Sequence, residues 1–476
     1  MSASRRVNRL STRISGKSWR LCKKNWRAWT RKQQDCRPQL LTTWGISSAD
    51  VPATWRSFVA EEFRLIPLNQ LCLTISSGGT PSRREPRFWT NGTIPWIKTG
   101  ELNDWKIHTI EERITEAGLN GSAAKLFAPG TILMAMYGDG RTITTMGIVD
   151  TPAATNQACC GIVANPNICD PLYLFYALKH ERHKLLNLVV AGAQRNLSVG
   201  TIRNFPVPIP SLGTQRRIAS IQGAYDDLID VNRRRVAVLE EMARGLFEEW
   251  FIRFRYPGHE AAPILDAPDG SLPESWTSGV AADLIAFDPK TTVPRDGLKP
   301  FISMGHLDTA TSLIAPPEQR AGNSGTKFRN GDTLFARITP CLENGKTGLV
   351  RGLPGQGGIG FGSTEYIVMR GEAAGPAFTY CLARHSSFRA NARNSMSGAT
   401  GRQRARTASL ASFAMPVPPL DLLRRFDEAV WPMLELVGNL GTANETLASA
   451  RDLLLPRLIS GQLSVAEAER ELEQAA

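Results

Sequence analysis

The feature that most constrains the fold of this chain is an internal repeat. The same series of segments occurs twice along the sequence, about 205 residues apart. Residues 94–103 match residues 299–308 in their proline, aromatic, isoleucine, glycine and leucine positions, and the proline-rich segment 205–212 matches 413–420. Solenoid repeats have periods of about 20–50 residues, so a period this long predicts two diverged copies of a whole domain.

Each half of the repeat divides into two parts. The first mixes short β-rich runs with Gly, Pro and Asn turns and ends in the proline-rich segment, which cannot continue as a helix. The second is a helical segment of about 40 residues. We therefore predict an α+β protein with a basic extension at 1–60, an α+β domain at 61–213, a central helix at 214–258, a second α+β domain at 259–421, a distal helix at 422–465 and a tail at 466–476.

Both helical segments carry a heptad pattern. Apolar residues recur at alternating spacings of three and four over about four heptads, which favours pairing of the two helices as an antiparallel coiled coil. The alternative is an amphipathic helix lying on its own domain, because periods of 3.5 and 3.6 hardly separate over this length. The predicted pairing residues are Ile218, Ile221, Leu228, Leu239 and Leu246 in the central helix and Phe426, Leu436, Leu440, Leu447 and Leu454 in the distal helix.

Two further residues bear on the helices. Asn232 lies on the apolar stripe of the central helix, where a buried amide would stabilise only the register that satisfies it. Pro432 lies about three turns into the distal helix and predicts either a kink there or a late start.

The charge of the chain is strongly uneven. Lys and Arg number 56 against 44 Asp and Glu, a net charge of +12 that suggests a polyanionic partner. Residues 1–60 alone carry +11 and five of the eleven tryptophans, whereas the two α+β domains carry about +4 each and the helices are acidic. The basic segment is either an arm that binds nucleic acid or a disordered extension from a start site assigned too far upstream.

Cysteine usage and hydropathy predict a cytoplasmic protein. The eight cysteines include no C-x-x-C pair, and the adjacent Cys159 and Cys160 could not bond each other without strain, so we expect reduced thiols. The longest apolar runs fall far below the roughly 18 residues that a membrane-spanning helix needs. We therefore expect no membrane segment.

The chain carries no convincing catalytic motif. Residues 355–360 spell a G-x-G-x-x-G fingerprint, but a predicted strand follows where that motif needs a helix. Residues 345–347 resemble the end of a phosphate-binding loop, yet Pro340 stands where its first glycine belongs. His180 and His183 lack the spacing of a zinc site. We predict a non-catalytic chain without its own metal or cofactor.

Basic and polar residues nevertheless cluster in the variable parts of both domains. Arg, Gln and Asn side chains can make bidentate contacts with purine edges, and Lys and Arg also contact phosphates, although a solvated surface is the alternative for each residue. The clusters at 194–196 and 402–404 occupy corresponding positions, just before the proline-rich segment. The DNA-binding candidates are Lys98, Arg141, Thr142, Gln194, Arg195 and Asn196 in the first domain and Lys346, Arg402, Gln403, Arg404 and Arg406 in the second.

The duplicated order of these motifs resembles that of the specificity subunits of type I restriction-modification enzymes. The resemblance covers about residues 61–465 and is carried by segments 77–82, 94–97, 155–158, 206–215 and 246–251 in the first half and by 301–305, 362–365 and 453–461 in the second. It implies that each α+β domain is a target-recognition domain reading one half of a bipartite, asymmetric DNA sequence. It also implies that the paired helices set the spacer between the two half-sites.

The resemblance further implies a set of partners. These are double-stranded DNA, two methyltransferase subunits that carry S-adenosylmethionine, and through them restriction subunits that use ATP and Mg²⁺. Two other hypotheses stay open from the residues alone: a stand-alone regulator that bridges two DNA sites through its helices, and an enzyme with an unrecognised site.

Overall fold

The computed structural model describes residues 63–138, 142–189, 196–265, 271–355, 357–398 and 402–475, and the basic segment 1–60 lies outside them. From Phe63 onward the residues cluster as one unit with a mixed α+β fold. Its first half contains strands β1 (Arg64–Pro67), β2 (Cys72–Ser77), β3 (Ile94–Ile97), β4 (Lys106–Ile107), β5 (Glu112–Ile114), β6 (Leu126–Phe127), β7 (Ile132–Ala135), β8 (Met146–Val149), β9 (Ala153–Thr155), β10 (Cys159–Ala164) and β11 (Pro206–Ile209). Its second half contains β12 (Ile264–Leu265), β13 (Leu272–Pro273), β14 (Thr277–Val280), β15 (Ile285–Phe287), β16 (Lys299–Ile302), β17 (Glu318–Arg320), β18 (Thr326–Arg329), β19 (Thr333–Ala336), β20 (Thr347–Leu349), β21 (Ile359–Gly362), β22 (Tyr366–Gly371) and β23 (Ala414–Val417).

The sheets of the two halves share one strand order, except that the first half has an additional edge strand, β4. In the first half they run β2-β10-β7-β8-β4 and β5-β3-β9-β6, and in the second β15-β22-β19-β20 and β17-β16-β21-β18. The central strands β7 and β19 are buried along their whole length, as expected for short continuous apolar runs. In each half the proline-rich strand pairs with a strand near the start of the half, β11 with β1 and β23 with β14. These pairs have only two strands, which leaves the prolines at edges where no ladder donor is needed.

The helices fall into short ones that pack on the sheets and two long ones. The short helices are α1 (Leu68–Leu71), α2 (Glu116–Asn120), α3 (Pro171–His180), α4 (Arg182–Asn187), α5 (Val199–Arg203), α7 (Pro376–Arg384), α8 (Ser386–Asn394), α9 (Thr407–Ala411) and the C-terminal α11 (Val465–Ala475). The central helix α6 (Leu212–Phe247) begins at Ser211, whose hydroxyl accepts a hydrogen bond from the Thr214 N–H. The distal helix α10 (Leu420–Ile459) begins well before Pro432 and continues past it, so the predicted late start is wrong. Among the described residues, no helix combines the length and apolar character that crossing a membrane requires.

The central and distal helices pack along each other in opposite directions. Asn232 contacts Asn444, and Asp226, earlier in the central helix, is paired with Arg451, later in the distal helix. The position of Asn232 between the helices is therefore as predicted.

The predicted pairing positions agree with the buried residues at one end of the helix pair and are one residue out of register further along it. Leu228 and Leu436 are 45% and 46% exposed, so the prediction is wrong for these two, and the buried residues are Ile229 and Val437. Ile218, Ile221 and Phe426 are buried, whereas Leu239, Leu246, Leu440, Leu447 and Leu454 are half-buried. The buried stripe of the central helix includes the polar residues Gln222, Asp226, Asn232 and Glu240. A search for regularly spaced apolar residues therefore does not identify this stripe.

Each half shares its core with the long helices. In the first half, Tyr173 and Phe175 of α3 belong to the same core cluster as Ile218 of the central helix and Leu458 of the distal helix. In the second, Phe251, just after the central helix, packs edge-on against Phe378 and Phe426, with ring centroids 4.8 and 4.9 Å away. Burying an aromatic side chain of this kind stabilises a fold by about 1.5–3 kcal/mol. The segment 246–251 therefore joins the central helix to the second half.

The six cysteines that the structure describes are free thiols. Cys159, Cys160 and Cys169 are buried, and burial raises the pKa of each to about 12. They are therefore protonated, unreactive core residues at neutral pH.

Candidate nucleic-acid interface

One edge of the second half brings three loops together. The loop after β19 contributes Arg337, whose N–H donates to the Glu365 carbonyl (3.0 Å) and whose carbonyl accepts from the Ala405 N–H (2.8 Å). Thr339 donates its N–H to the Gln403 carbonyl at 3.1 Å. We call this the second loop edge: residues 337–346, 363–365 and 402–406. It contains all five DNA-binding candidates of the second domain.

The first half has an equivalent edge with the same backbone pattern. Met136 donates its N–H to the Ala158 carbonyl (2.8 Å) and accepts from the Leu197 N–H (2.9 Å), and Tyr137 forms a β-bridge with Asn196. We call residues 136–138, 142, 156–158 and 196–197 the first loop edge. It contains the candidates Thr142 and Asn196, both half-buried. Arg141, Gln194 and Arg195 lie outside the described residues.

The candidates in the second loop edge differ sharply in their partners. Arg404 makes a bidentate ion pair with Glu365, with N–O distances of 2.6 and 2.8 Å. Arg406 donates its Nε–H to the Ser395 carbonyl at 3.2 Å, while the side chain of Gln403 is half-buried. Arg402 is exposed. From the sequence these four residues are equal candidates for DNA binding. In the structure they differ in whether their side chains are already bonded to the protein.

The two candidate lysines are already hydrogen-bonded. The ammonium of Lys98 lies 2.8 Å from a carboxylate oxygen of Glu111 and 3.2 Å from one of Glu112, and these bonds raise the pKa of Lys98. Lys346 donates to the Met304 carbonyl at 2.7 Å. The charge of Lys98 is therefore already compensated by two carboxylates. Lys346 instead stabilises the conformation of its own loop by bonding to the Met304 carbonyl.

Sequence reasoning missed two polar residues at this end of the first half, Gln157 of the first loop edge and Thr80 beside it. Both are exposed, and the Thr80 hydroxyl donates to the Gln157 amide oxygen. Thr80 can approach because Gly78 and Gly79 precede it: a Cβ at Gly78 would lie only 2.2 Å from the Thr155 carbonyl oxygen. A Gly-Gly pair followed by a hydroxyl at the end of a strand is the signal that could have indicated this contact.

The described residues contain no set of three His, Cys, Asp or Glu side chains placed to hold a metal ion. A cavity of about 1300 Å³ lies between the second half and the two long helices, lined by apolar residues and by both Arg351 and Glu435. Its lining also includes Thr311, whose hydroxyl donates to the Asp308 carboxylate at 3.0 Å. The two loop edges present hydrogen-bonding and basic side chains.

A protein-family model for the type I restriction modification DNA specificity domain matches residues 61–241, which span the first half and most of the central helix. The chain is similar to the type I restriction enzyme MjaIX specificity subunit of Methanocaldococcus jannaschii, at 24% identity over 83% of this chain and 92% of that subunit. It is also similar to the HindI specificity subunit of Haemophilus influenzae, at 21% identity over 78% of this chain and 94% of the relative.

A solved structure has the same fold. The crystal structure of a type I restriction-modification S subunit from M. genitalium covers 84% of this chain and 96% of its own, with a TM-score of 0.55 and 13% sequence identity.

Proposed function

Because the chain belongs to the specificity subunits of type I restriction-modification enzymes, which recognise DNA without catalysing a reaction, we propose that it directs such an enzyme to one bipartite DNA sequence. Each half is a target-recognition domain that reads one half-site through its loop edge. The observation that carries this proposal is the recurrence of one backbone pattern at both edges, Met136 with Ala158 and Leu197, Arg337 with Glu365 and Ala405.

The two half-sites differ in sequence. The backbone pattern is shared, but the side chains are not: Asn196 stands where the second edge has Arg404, and Ala158 stands where it has Glu365. Side chains that contact base edges determine sequence, whereas a shared backbone frame determines only how the loops are presented. The target is therefore asymmetric.

The long helices set the length of DNA between the two half-sites and bind the partner subunits. They lie between the two halves, share a core with each, and expose Leu228, Val238, Met242 and Leu436 to solvent. Exposed apolar side chains along a helix pair are typical of protein–protein contacts. Two methyltransferase subunits that carry S-adenosylmethionine dock here, and restriction subunits that use ATP and Mg²⁺ join through them, in the cytoplasm.

Copurification tests the proposal. The tagged chain is co-expressed with the methyltransferase subunit of its own system, purified, and supplied with S-adenosylmethionine and DNA. We expect a stable complex that methylates a gapped, bipartite sequence, while each subunit alone leaves the DNA unmodified. Failure of the chain to copurify with that subunit, or methylation without a gapped site, would contradict the proposal.

A further inference from the structure

The two long helices expose leucines at equivalent positions of the repeat. Leu228 of the central helix and Leu436 of the distal helix are 208 residues apart, and they are 45% and 46% exposed. Each follows a carboxylate and precedes a buried β-branched residue, in the segments 227–229 and 435–437. Single exposed leucines are common on protein surfaces, but here the same leucine is exposed to the same extent in both copies of the repeat. The two positions therefore have one shared role.

Each exposed leucine begins a row of three leucines along its helix. Spacings of eleven and then seven residues are close to three and two turns of an α-helix, so the members of a row follow one line. The later members are half-buried. The central leucine row is Leu228, Leu239 and Leu246, and the distal leucine row is Leu436, Leu447 and Leu454.

The two leucine rows lie side by side on the helix pair. The cross-helix contacts bring residues 226–232 of the central helix alongside residues 444–451 of the distal helix. Leu228 and Leu447 fall within these ranges, so they lie at the same level of the pair. Copies of one helix that pack antiparallel are related by a two-fold axis across the pair, so their equivalent residues face the same side. The rows therefore share one face.

That face has two equivalent ends, each beside one half of the protein. The first lies beside the first half, because Asp227 pairs with Lys106 of β4 at 2.8 Å. The second lies beside the second half, because Leu434 belongs to the core cluster of that half. We call Leu228 with Leu447 the first leucine subsite, and Leu436 with Leu239, to which the repeat relates them, the second leucine subsite.

We propose that each leucine subsite anchors one methyltransferase subunit, and that the subunit at a subsite methylates the half-site read by the adjacent domain. This inference rests on the proposed function. A partner that covers two equivalent surfaces of one chain binds in two copies, as the methyltransferase subunits are proposed to do. Leucines spaced by whole turns accept the apolar face of a partner helix. They offer no donor to a phosphate, so the face fits a protein and not DNA.

The chain copurified with its methyltransferase subunit provides the test. Native mass spectrometry counts the subunits, and methylation is measured at each half-site, with the exchange of residues 61–213 identifying the half-site of the first domain. We expect Leu228→Asp to weaken binding of one copy by roughly 10- to 100-fold, because a carboxylate then faces an apolar partner surface. The remaining copy should methylate only the half-site of the second domain. Leu436→Asp should leave only the half-site of the first domain methylated, and the double variant should bind no copy.

Leu453→Asp is the matched control, because Leu453 is 72% exposed on the distal helix while the repeat places Gly245 at its counterpart. It should keep both copies and both methylated half-sites. Urea unfolding checks that each variant is folded, and Leu228→Gln and Leu436→Gln replace an aspartate variant that is not.

Two kinds of result would overturn the proposal. One is a folded single variant at Leu228 or Leu436 that keeps both methyltransferase copies or loses both. The other is loss of methylation at the half-site of the opposite domain, or at both half-sites. If instead the wild-type chain binds no methyltransferase subunit, the proposed function itself fails.

Discussion

Asn232 of the central helix donates a hydrogen bond to Asn444 of the distal helix, with 3.0 Å between Nδ2 and Oδ1. Asn444 in turn donates to the Ile229 carbonyl at 3.4 Å. A slip of either helix by one residue would separate the buried Asn232 amide and the half-buried Asn444 amide from these partners. The pair therefore selects one alignment of the helices, and with it one separation of the two halves.

Asn232→Ala should lower the free energy of unfolding by about 1–3 kcal/mol, because it leaves the Asn444 amide oxygen unsatisfied. Chemical denaturation of the variant and of the double variant Asn232→Ala/Asn444→Ala gives the coupling between the two residues. Asn439→Ala, at an exposed position of the distal helix, is the control and should change stability by less than about 0.5 kcal/mol. Additive effects of the two substitutions would show that the hydrogen bond does not join the helices.

Asp226 anchors the first half to both helices. Its carboxylate accepts a hydrogen bond from the Tyr176 hydroxyl at 2.7 Å and pairs with Arg451. Asp226→Asn removes one of the two carboxylates that pair with the largely buried Arg451 guanidinium, the other being Asp452, and it weakens the bond to Tyr176, so we expect a loss of about 1–3 kcal/mol in denaturation experiments. Asp227→Asn is the control, since Asp227 forms an exposed pair with Lys106 and should cost no more than about 1 kcal/mol. Equal effects of the two variants would contradict this role for Asp226.

The titration of Asp427 should make the free energy of unfolding depend on pH. Its carboxylate accepts hydrogen bonds from the Ala377 and Phe378 N–H groups, but burial raises its pKa to about 6. Because the unfolded pKa is about 3.9, the protonated carboxyl stabilises the fold below that value, and this contribution is lost as the pH rises through about 6. Asp427→Asn keeps an acceptor oxygen and removes the titration.

The stability of Asp427→Asn relative to the wild type should therefore rise by on the order of 2 kcal/mol between pH 4 and pH 7.5. Thermal or urea unfolding at the two pH values measures it. Asp421→Asn, at an exposed carboxylate of the same helix, should show no comparable trend. A difference between Asp427→Asn and wild type that does not change with pH would refute the raised pKa.

The length of the two long helices should determine the number of base pairs between the half-sites. Inserting one heptad after Val236 and another after Asn439 lengthens both helices by roughly 10 Å without rotating their faces. At about 3.4 Å per base pair, the spacer between unchanged half-sites should grow by about three base pairs, as read from methylated sites. The same seven residues inserted after Gly258, in the connection beyond the central helix, should leave the spacer unaltered. An unaltered spacer in the helix variant would show that the helices do not set it.

The sequence predicted the framework of the fold well because that framework follows from apolar runs and the repeat. The first part of each half is predicted to contain short β-rich runs, and strands such as Ile132–Ala135 and Tyr366–Gly371 lie there. The register of the helix pair was missed because Asp226 and Glu240 are buried. Tyr176 and Tyr380 of the two halves hydrogen-bond to these carboxylates, and no pattern within the helix reveals such partners.

The sequence indicates candidate segments for the site but not the contacts within them. The clusters at 194–196 and 402–404 are candidates because they recur, and they remain predictions. The pairing of Arg404 with Glu365, and of Lys98 with Glu111, joins residues that only the folded loops bring together. A close approach of this kind also involves Gly438 of the distal helix, which lets Arg351 pack closely: a Cβ there would lie 2.9 Å from the guanidinium carbon.

The measurement that tests the central claim most directly is a map of methylated bases made with a domain exchange. Residues 61–213 are replaced by the first domain of another specificity subunit, the complex is expressed in cells, and its methylated sites are mapped across the genome. The account predicts that one half-site changes while the other half-site and the spacer stay the same. A change in both half-sites, or in neither, would contradict it.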